Sequence, residues 1–166
     1  ENHLNSSLSL IKYKRYKMNI FGKTLKDYIW PIKFYILTVV LVVISQYFVA
    51  VPLADRFPFI LNLTQALWAI MVALSVIKLI LYYTFNIKNV LFLGVLYSII
   101  IHGLKAFVFR MFLFPYSGTS TEVFGKIISK FLYGSFLVMV IVIFLGFIFI
   151  KLKNNQEVRK SFRWLK

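Results

Sequence analysis

The chain has 166 residues, of which 60% are hydrophobic and only 15% charged, and its mean hydropathy is +0.80. Soluble domains average roughly 45–50% apolar and about 25% charged residues, so the composition excludes an ordinary water-soluble domain. Twenty Lys and Arg against five Asp and Glu give a net charge of +15. The absence of cysteine excludes a disulfide scaffold, a zinc ribbon, a thiol nucleophile and a thiolate-held iron–sulfur cluster.

Residues 1–33 form a polar and then basic lead, in which the pattern from Met18 to Trp30 predicts an interfacial amphipathic helix. Its apolar side chains fall on one side at helical spacing and its charged ones on the other. Pro31 then turns the chain into the first apolar run. We expect contacts with lipid headgroups from basic and indole side chains beside the first and last runs: Lys23, Lys26, Trp30, Lys33, Lys151 and Lys153.

Four long apolar runs follow, at about residues 34–54, 58–83, 89–109 and 128–150. A helix needs about 20 apolar residues to cross roughly 30 Å of hydrocarbon. An amphipathic soluble helix would show polar residues every three or four positions, and these runs do not. The sequence therefore predicts an all-α polytopic membrane protein, with a four-transmembrane-helix bundle over 34–150 and a basic C-terminal tail over 151–166.

The connections carry turn and cap signals. Pro52 and Pro58 bracket a tight turn through Asp55 and Arg56, since a proline restricts the residue before it. The segment from Thr119 to Glu122 fits a capping box, so a helix should start there.

Charge placement predicts the orientation in the membrane. Most Lys and Arg residues lie on the two tails, which an even number of spans puts on one side. By the positive-inside rule that side is the cytoplasm, or the matrix of an organelle. Arg110, Lys126 and Lys130 near the second outer loop depart from this rule. We expect the bacterial plasma membrane or the mitochondrial inner membrane, with anionic lipid headgroups rather than nucleic acid as the partner of the cations.

The third run carries a polar stripe, because Gly94, Ser98, His102 and Lys105 fall within an arc of roughly 80° on a helix. Ionisable side chains within a span usually face a protein interior or a water cavity. The stripe suits a proton relay, an axial haem ligand from His102, or a cationic contact to an anionic headgroup or a quinone. The alternative is structural, with the two small residues allowing close helix packing and Lys105 reaching for the outer interface.

The second run has a face of small and polar residues that predicts a helix-packing surface. Lys78 falls on the opposite side, with Trp68 and Ser75, and is expected to extend its ammonium towards the interface. The predicted packing residues are Asn62, Gln65, Ala66, Ala69 and Ala73.

No catalytic motif, metal-ligand cluster or cofactor motif occurs. The leading hypothesis is a non-catalytic accessory subunit of a larger membrane complex, in contact with other membrane subunits of an energy-transducing membrane. The first alternative is a small transporter or channel subunit with a path along His102 and Lys105. The second is a membrane anchor of a respiratory oxidoreductase with haem or quinone near His102. The stretch SIIIHGLKAFVF has a faint likeness to the haem-bearing helix of such anchors, confined to these residues and without the acidic–tyrosine pair expected next.

Overall fold

The computed structural model describes residues 19–113 and 115–166. Apart from one small hairpin, their regular structure is helical, with four helices long and apolar enough to cross a membrane. These are α1 (Leu25–Leu53), α2 (Phe59–Tyr83), α3 (Ile87–Leu113) and α4 (Ser120–Leu152). Each overlaps one predicted run, so the expectation of an all-α chain with four such helices is confirmed.

The segment before α1 differs from the prediction. Strand β1 (Asn19–Ile20) pairs antiparallel with β2 (Lys23–Thr24). Phe21 and Gly22 link them with φ of 50° and 82°, as a two-residue hairpin turn requires. The predicted amphipathic helix is therefore wrong over 19–24, while Met18 lies outside the described residues. The apolar side chains have helical spacing, but Gly22 accepts a positive φ and lets the two short strands pair, and this local turn determines the structure.

Helix α1 begins only after this hairpin. Asp27 Oδ2 accepts hydrogen bonds from the Thr24 backbone N–H and hydroxyl, both at 2.7 Å. The carboxylate thus caps the first turn. The helix continues through Trp30 and Pro31 in a tighter 3₁₀ turn, Trp30–Ile32, rather than ending there.

The connections between the helices are short. Residues 54–58 join α1 to α2, as the two prolines predicted. Thr84, at φ 55°, ends α2, and Asn86 caps α3 by accepting a hydrogen bond from Asn89 N at 3.0 Å. The capping box at the start of α4 is confirmed, because Thr119 N donates to Glu122 Oε2 at 3.2 Å and Glu122 N to Thr119 Oγ1 at 3.5 Å.

Two helices contain π-helical winding, with hydrogen bonds from residue i to i+5. The segments are Gln46–Ala50 in α1 and Ile99–Leu113 in α3. This winding changes the direction of the side chains that follow and is frequent at functional sites. Both segments lie towards the end of the bundle that holds residues 54–58 and 115–119, which we call the loop end.

Helix α4 packs through a stripe that contains two closely packed glycines, Gly134 and Gly146. A Cβ on Gly94 of α3 would lie 2.6 Å from Met139 Sδ, and one on Gly146 would lie 2.7 Å from a Val90 methyl. The backbones of α3 and α4 therefore approach closely, as small residues permit in membranes. Its buried stripe is Ile127, Gly134, Val138, Val142 and Gly146.

Within this chain, most of the predicted packing surface of α2 is not buried, although Ala69 packs against the core. Asn62, Gln65 and Ala66 are exposed, and Ala69 and Ala73 are half-buried. Large side chains bury more contact area than alanines, so the other face turns inward. The buried residues of α2 are Trp68, Val72, Ser75, Val76, Ile77, Leu79, Ile80 and Leu81.

A buried hydrogen bond joins α2 to α3. Ser75 Oγ donates to Met71 O at 2.7 Å, which leaves the Tyr97 hydroxyl to donate to Ser75 Oγ at 2.5 Å. Tyr97→Phe is expected to lower the free energy of unfolding by about 0.6 to 1.7 kcal/mol, the range for such bonds in membranes. Tyr83→Phe, at the exposed end of α2, is the control and should leave it nearly unchanged. Chemical unfolding of both variants in detergent measures the difference, and equal stabilities would contradict the prediction.

The hairpin before α1 and the segment after α4 both contact the opposite end of the bundle, which we call the tail end. Lys23 Nζ donates to Tyr83 O at 3.1 Å, and the Tyr28 hydroxyl donates to Asn89 Oδ1 at 2.7 Å. After α4, helix α5 (Gln156–Ser161) folds back, and the Tyr82 hydroxyl donates to Phe162 O at 2.9 Å. Leu165 is buried against Ile77 and Leu81.

Candidate functional site

A cavity of about 420 Å³ lies inside the bundle at the loop end. All four long helices line it, together with Tyr116 of the loop before α4. The two π-helical segments supply a large part of its wall, through Gln46 and Tyr47 of α1 and His102, Lys105 and Arg110 of α3. The volume falls within the 300–1,000 Å³ range of ligand pockets.

The charged groups of this cavity are all basic. Lys105, Arg110 and Lys130 line it, and no Asp or Glu is among its described lining residues. Arg110 Cζ lies 5.3 Å from the ring centroid of Tyr47 and 4.8 Å from that of Tyr116. Aromatic faces attract these cations without neutralising them, so the positive charge of the cavity remains available to an anion.

Lys105 and Lys130 reach the cavity from different helices. Lys105 Nζ lies 5.4 Å from the Trp68 ring centroid, and Lys130 Nζ lies 5.1 Å from that of Tyr116. The ammonium of Lys105 therefore lies beside the buried Trp68 ring. The alternative from the sequence was that Lys105 extends towards the outer interface.

Unsatisfied polar atoms collect around the same cavity. Gln46 Oε1, Trp68 Nε1, His102 Nε2 and the Tyr116 hydroxyl are buried and have no hydrogen-bond partner among the described residues. All belong to lining residues. Since buried polar groups are normally hydrogen-bonded, this concentration indicates a place that receives polar groups from outside the chain. The indole N–H and the phenol O–H are donors, which suit an anion.

Tight packing holds the His102 ring. A Cβ built on Gly134 of α4 would overlap the imidazole, and the Trp68 ring meets its edge at a centroid distance of 5.8 Å. The ring therefore lies between Trp68 of α2 and Gly134 of α4, with the cavity beside it, and its position depends on the missing side chain of Gly134.

The predicted polar stripe of the third run divides between two roles. Gly94 packs closely on Met139 and Val142, and Ser98 Oγ donates to Ser135 O at 3.4 Å. His102 and Lys105 line the cavity. Gly94, Ser98 and His102 follow one interface with α4, whereas only His102 and Lys105, at the loop end, line the cavity.

Other predicted residues lie apart from this cavity, except Gln65, which lines it. Lys78 is half-buried with Nζ 5.8 Å from the Tyr35 ring centroid. Trp30 is 62% exposed, with Lys26 Nζ at 5.6 Å and Lys33 Nζ at 4.2 Å from its ring centroid. Among the remaining headgroup candidates, Lys151 is exposed and Lys153 half-buried.

Sequence reasoning missed several lining residues, among them Tyr47, Arg110, Tyr116 and Lys130. A signal for two of them was present, because Arg110 and Lys130 depart from the positive-inside rule. Tyr47 and Tyr116 are separated widely in sequence, and no pattern placed them together.

In the ranges 19–113 and 115–166, no three His, Cys, Asp or Glu side chains gather in a way that could hold a metal ion. Neither the protein-family models, nor the curated proteins, nor the solved structures contain a match to this chain.

Proposed function

We propose that this protein is a non-catalytic integral membrane protein that binds an anionic group in the loop-end cavity, in the manner of a small transporter or channel subunit. One observation supports this proposal above the others. Lys105, Arg110 and Lys130 converge with unpartnered polar atoms on a cavity whose described lining has no acid. The sequence suggested a path along His102 and Lys105, and the proposed site adds residues from the other three long helices to that pair.

The energetics favour an anion in such a site. Cations taken into a membrane interior are costly, and they occur mainly where they pair or line a pathway. Charge-assisted hydrogen bonds are roughly twice as strong as neutral ones. An anion in the cavity would both pair these cations and use the free indole and phenol donors.

The proposed orientation follows from the basic tails. With the tail end in the cytoplasm or matrix, the cavity lies in the outer half of the bilayer of a bacterial plasma membrane or mitochondrial inner membrane. The exposed Lys and Trp side chains at the tail end then lie at the level of anionic headgroups.

The accessory subunit of a larger complex is the second candidate. It is favoured by α4, the least buried long helix, whose Phe136, Phe144 and Phe147 are exposed. Other membrane subunits would cover this aromatic surface. Native electrophoresis after gentle solubilisation tests this role, because migration as a lone chain would contradict it.

Anion binding is tested by thermal unfolding of the purified protein in a neutral detergent. We expect inorganic phosphate or decyl phosphate to raise the midpoint, since binding to the folded state at 100 times Kd adds about 2.7 kcal/mol. Decylphosphocholine, which has the same chain and no net charge, is the control. Equal midpoints with decyl phosphate, phosphate and decylphosphocholine would overturn the proposal.

A further inference from the structure

The exposure of its lining residues indicates that the cavity opens on the side of the bundle, between α2 and α4. Its lining residues on α1 and α3 include the buried Gln46, Tyr47 and Ala106. Those on α2 and α4 include exposed ones, namely Gln65, Lys130, Tyr133 and Leu137. Because the exposed lining residues come from two neighbouring helices, the opening faces the surroundings of the bundle at this point.

In the proposed orientation, this mouth would extend along α4 from Lys130 into the hydrocarbon layer. Lys130 directly precedes the charge-free run over 131–150. Leu137 lies seven residues further along the same helix, which corresponds to about 10 Å. Tyr133 and Leu137 are 73% and 40% exposed, so the part of the mouth beyond Lys130 would present aromatic and aliphatic surface to lipid.

The two parts of the site differ in chemistry. The interior offers Lys105, Arg110 and the Trp68 N–H, whereas the deep side of the mouth is apolar.

Building on the proposed anion-binding function, we propose that the ligand is an anionic lipid that enters the cavity laterally from the bilayer. Its phosphate or carboxylate headgroup binds Lys105, Arg110 and Lys130. Its hydrocarbon chain leaves between α2 and α4, past Leu137. A water-soluble ion has the same headgroup chemistry but makes no use of the apolar mouth.

Trp68 provides a reporter inside the cavity. The chain has three tryptophans, and Trp30 and Trp164 are exposed while Trp68 is 2% exposed. Trp30→Phe with Trp164→Phe leaves Trp68 as the single indole. The protein is reconstituted in bilayer discs of unlabelled zwitterionic lipid, to which lipids with brominated chains are added. One carries an anionic phosphate headgroup and the other a phosphocholine headgroup on the same chains.

We expect the brominated anionic lipid to quench Trp68 fluorescence more strongly than the brominated phosphocholine lipid. Lys105→Gln with Arg110→Gln should raise the concentration for half-maximal quenching about a hundredfold, since each lost charge-assisted bond accounts for about tenfold or more. Arg56→Gln with Lys126→Gln removes the same charge from exposed positions outside the cavity lining and should leave that concentration nearly unchanged.

Two results would overturn the proposal that an anionic lipid enters the cavity laterally. Equal quenching by both headgroups would show chain contact without headgroup recognition. Thermal stabilisation by inorganic phosphate without headgroup-dependent quenching would identify a soluble anion, and the proposed function would then stand alone. If the protein responded to neither phosphate nor anionic lipid, both the proposed anion binding and the proposed lipid entry would be contradicted.

Discussion

Gly134→Ala is expected to destabilise the folded bundle by about 1–3 kcal/mol, the usual cost of overpacking a tight core. The new methyl group would overlap the His102 imidazole. That ring also meets the edge of Trp68 at a centroid distance of 5.8 Å, so it can yield only towards the cavity that it lines. Unfolding by a denaturing detergent, followed by circular dichroism, measures the loss.

Gly125→Ala is the matched control on the same helix. A Cβ at Gly125 would meet nothing within 4 Å, and the residue is exposed. Alanine should leave stability unchanged or raise it by up to about 1 kcal/mol, because glycine is the poorer helix former. The prediction is that Gly134→Ala lowers the free energy of unfolding whereas Gly125→Ala does not. A Gly134→Ala protein as stable as the parent would contradict the prediction and show that the His102 ring yields at no cost.

Lys105→Gln with Arg110→Gln is expected to remove the stabilisation by decyl phosphate almost completely. Both side chains line the cavity, and a hydrogen bond to a charged group contributes about 1.5–3 kcal/mol. Loss of two such bonds corresponds to at least about a hundredfold weaker binding. The shift of the thermal midpoint with decyl phosphate concentration measures this change.

The same titration on Arg56→Gln with Lys126→Gln separates local binding from net charge. These two cations are exposed at the loop end and do not line the cavity. Exposed charges are screened over about 10 Å at 0.1 M salt, so this variant should bind like the parent. If both double variants lost binding equally, anion binding would depend on the overall charge of the protein and not on the cavity.

Local rules were enough to predict the helices and some of their ends. The charge-free runs predicted the four long helices because hydrocarbon length and backbone hydrogen bonding leave few other structures for such segments. The capping box at Thr119 and the prolines at 52 and 58 act within a few residues, so they also could be predicted from sequence. The hairpin at 19–24 was missed because helical spacing of Phe21 and Leu25 resembled an amphipathic helix.

The candidate site was predicted only in its third-helix part. His102 and Lys105 stand out because ionisable residues are rare in apolar runs. Trp68 was assigned to the outward side of its helix, yet it is buried beside both of them. The side on which a helix packs depends on the shapes of its neighbours, and the sequence of one helix does not contain them.

The sequence by itself determined that this chain forms four long apolar helices, because composition and run length act residue by residue along the chain. Only the tertiary structure decided which faces of α2 and α4 pack and where π-helical winding turns Lys105 and Arg110. It also decided that these cations meet Lys130 around one cavity. Such a meeting depends on contacts between residues far apart in sequence, and close packing of whole helices selects those contacts.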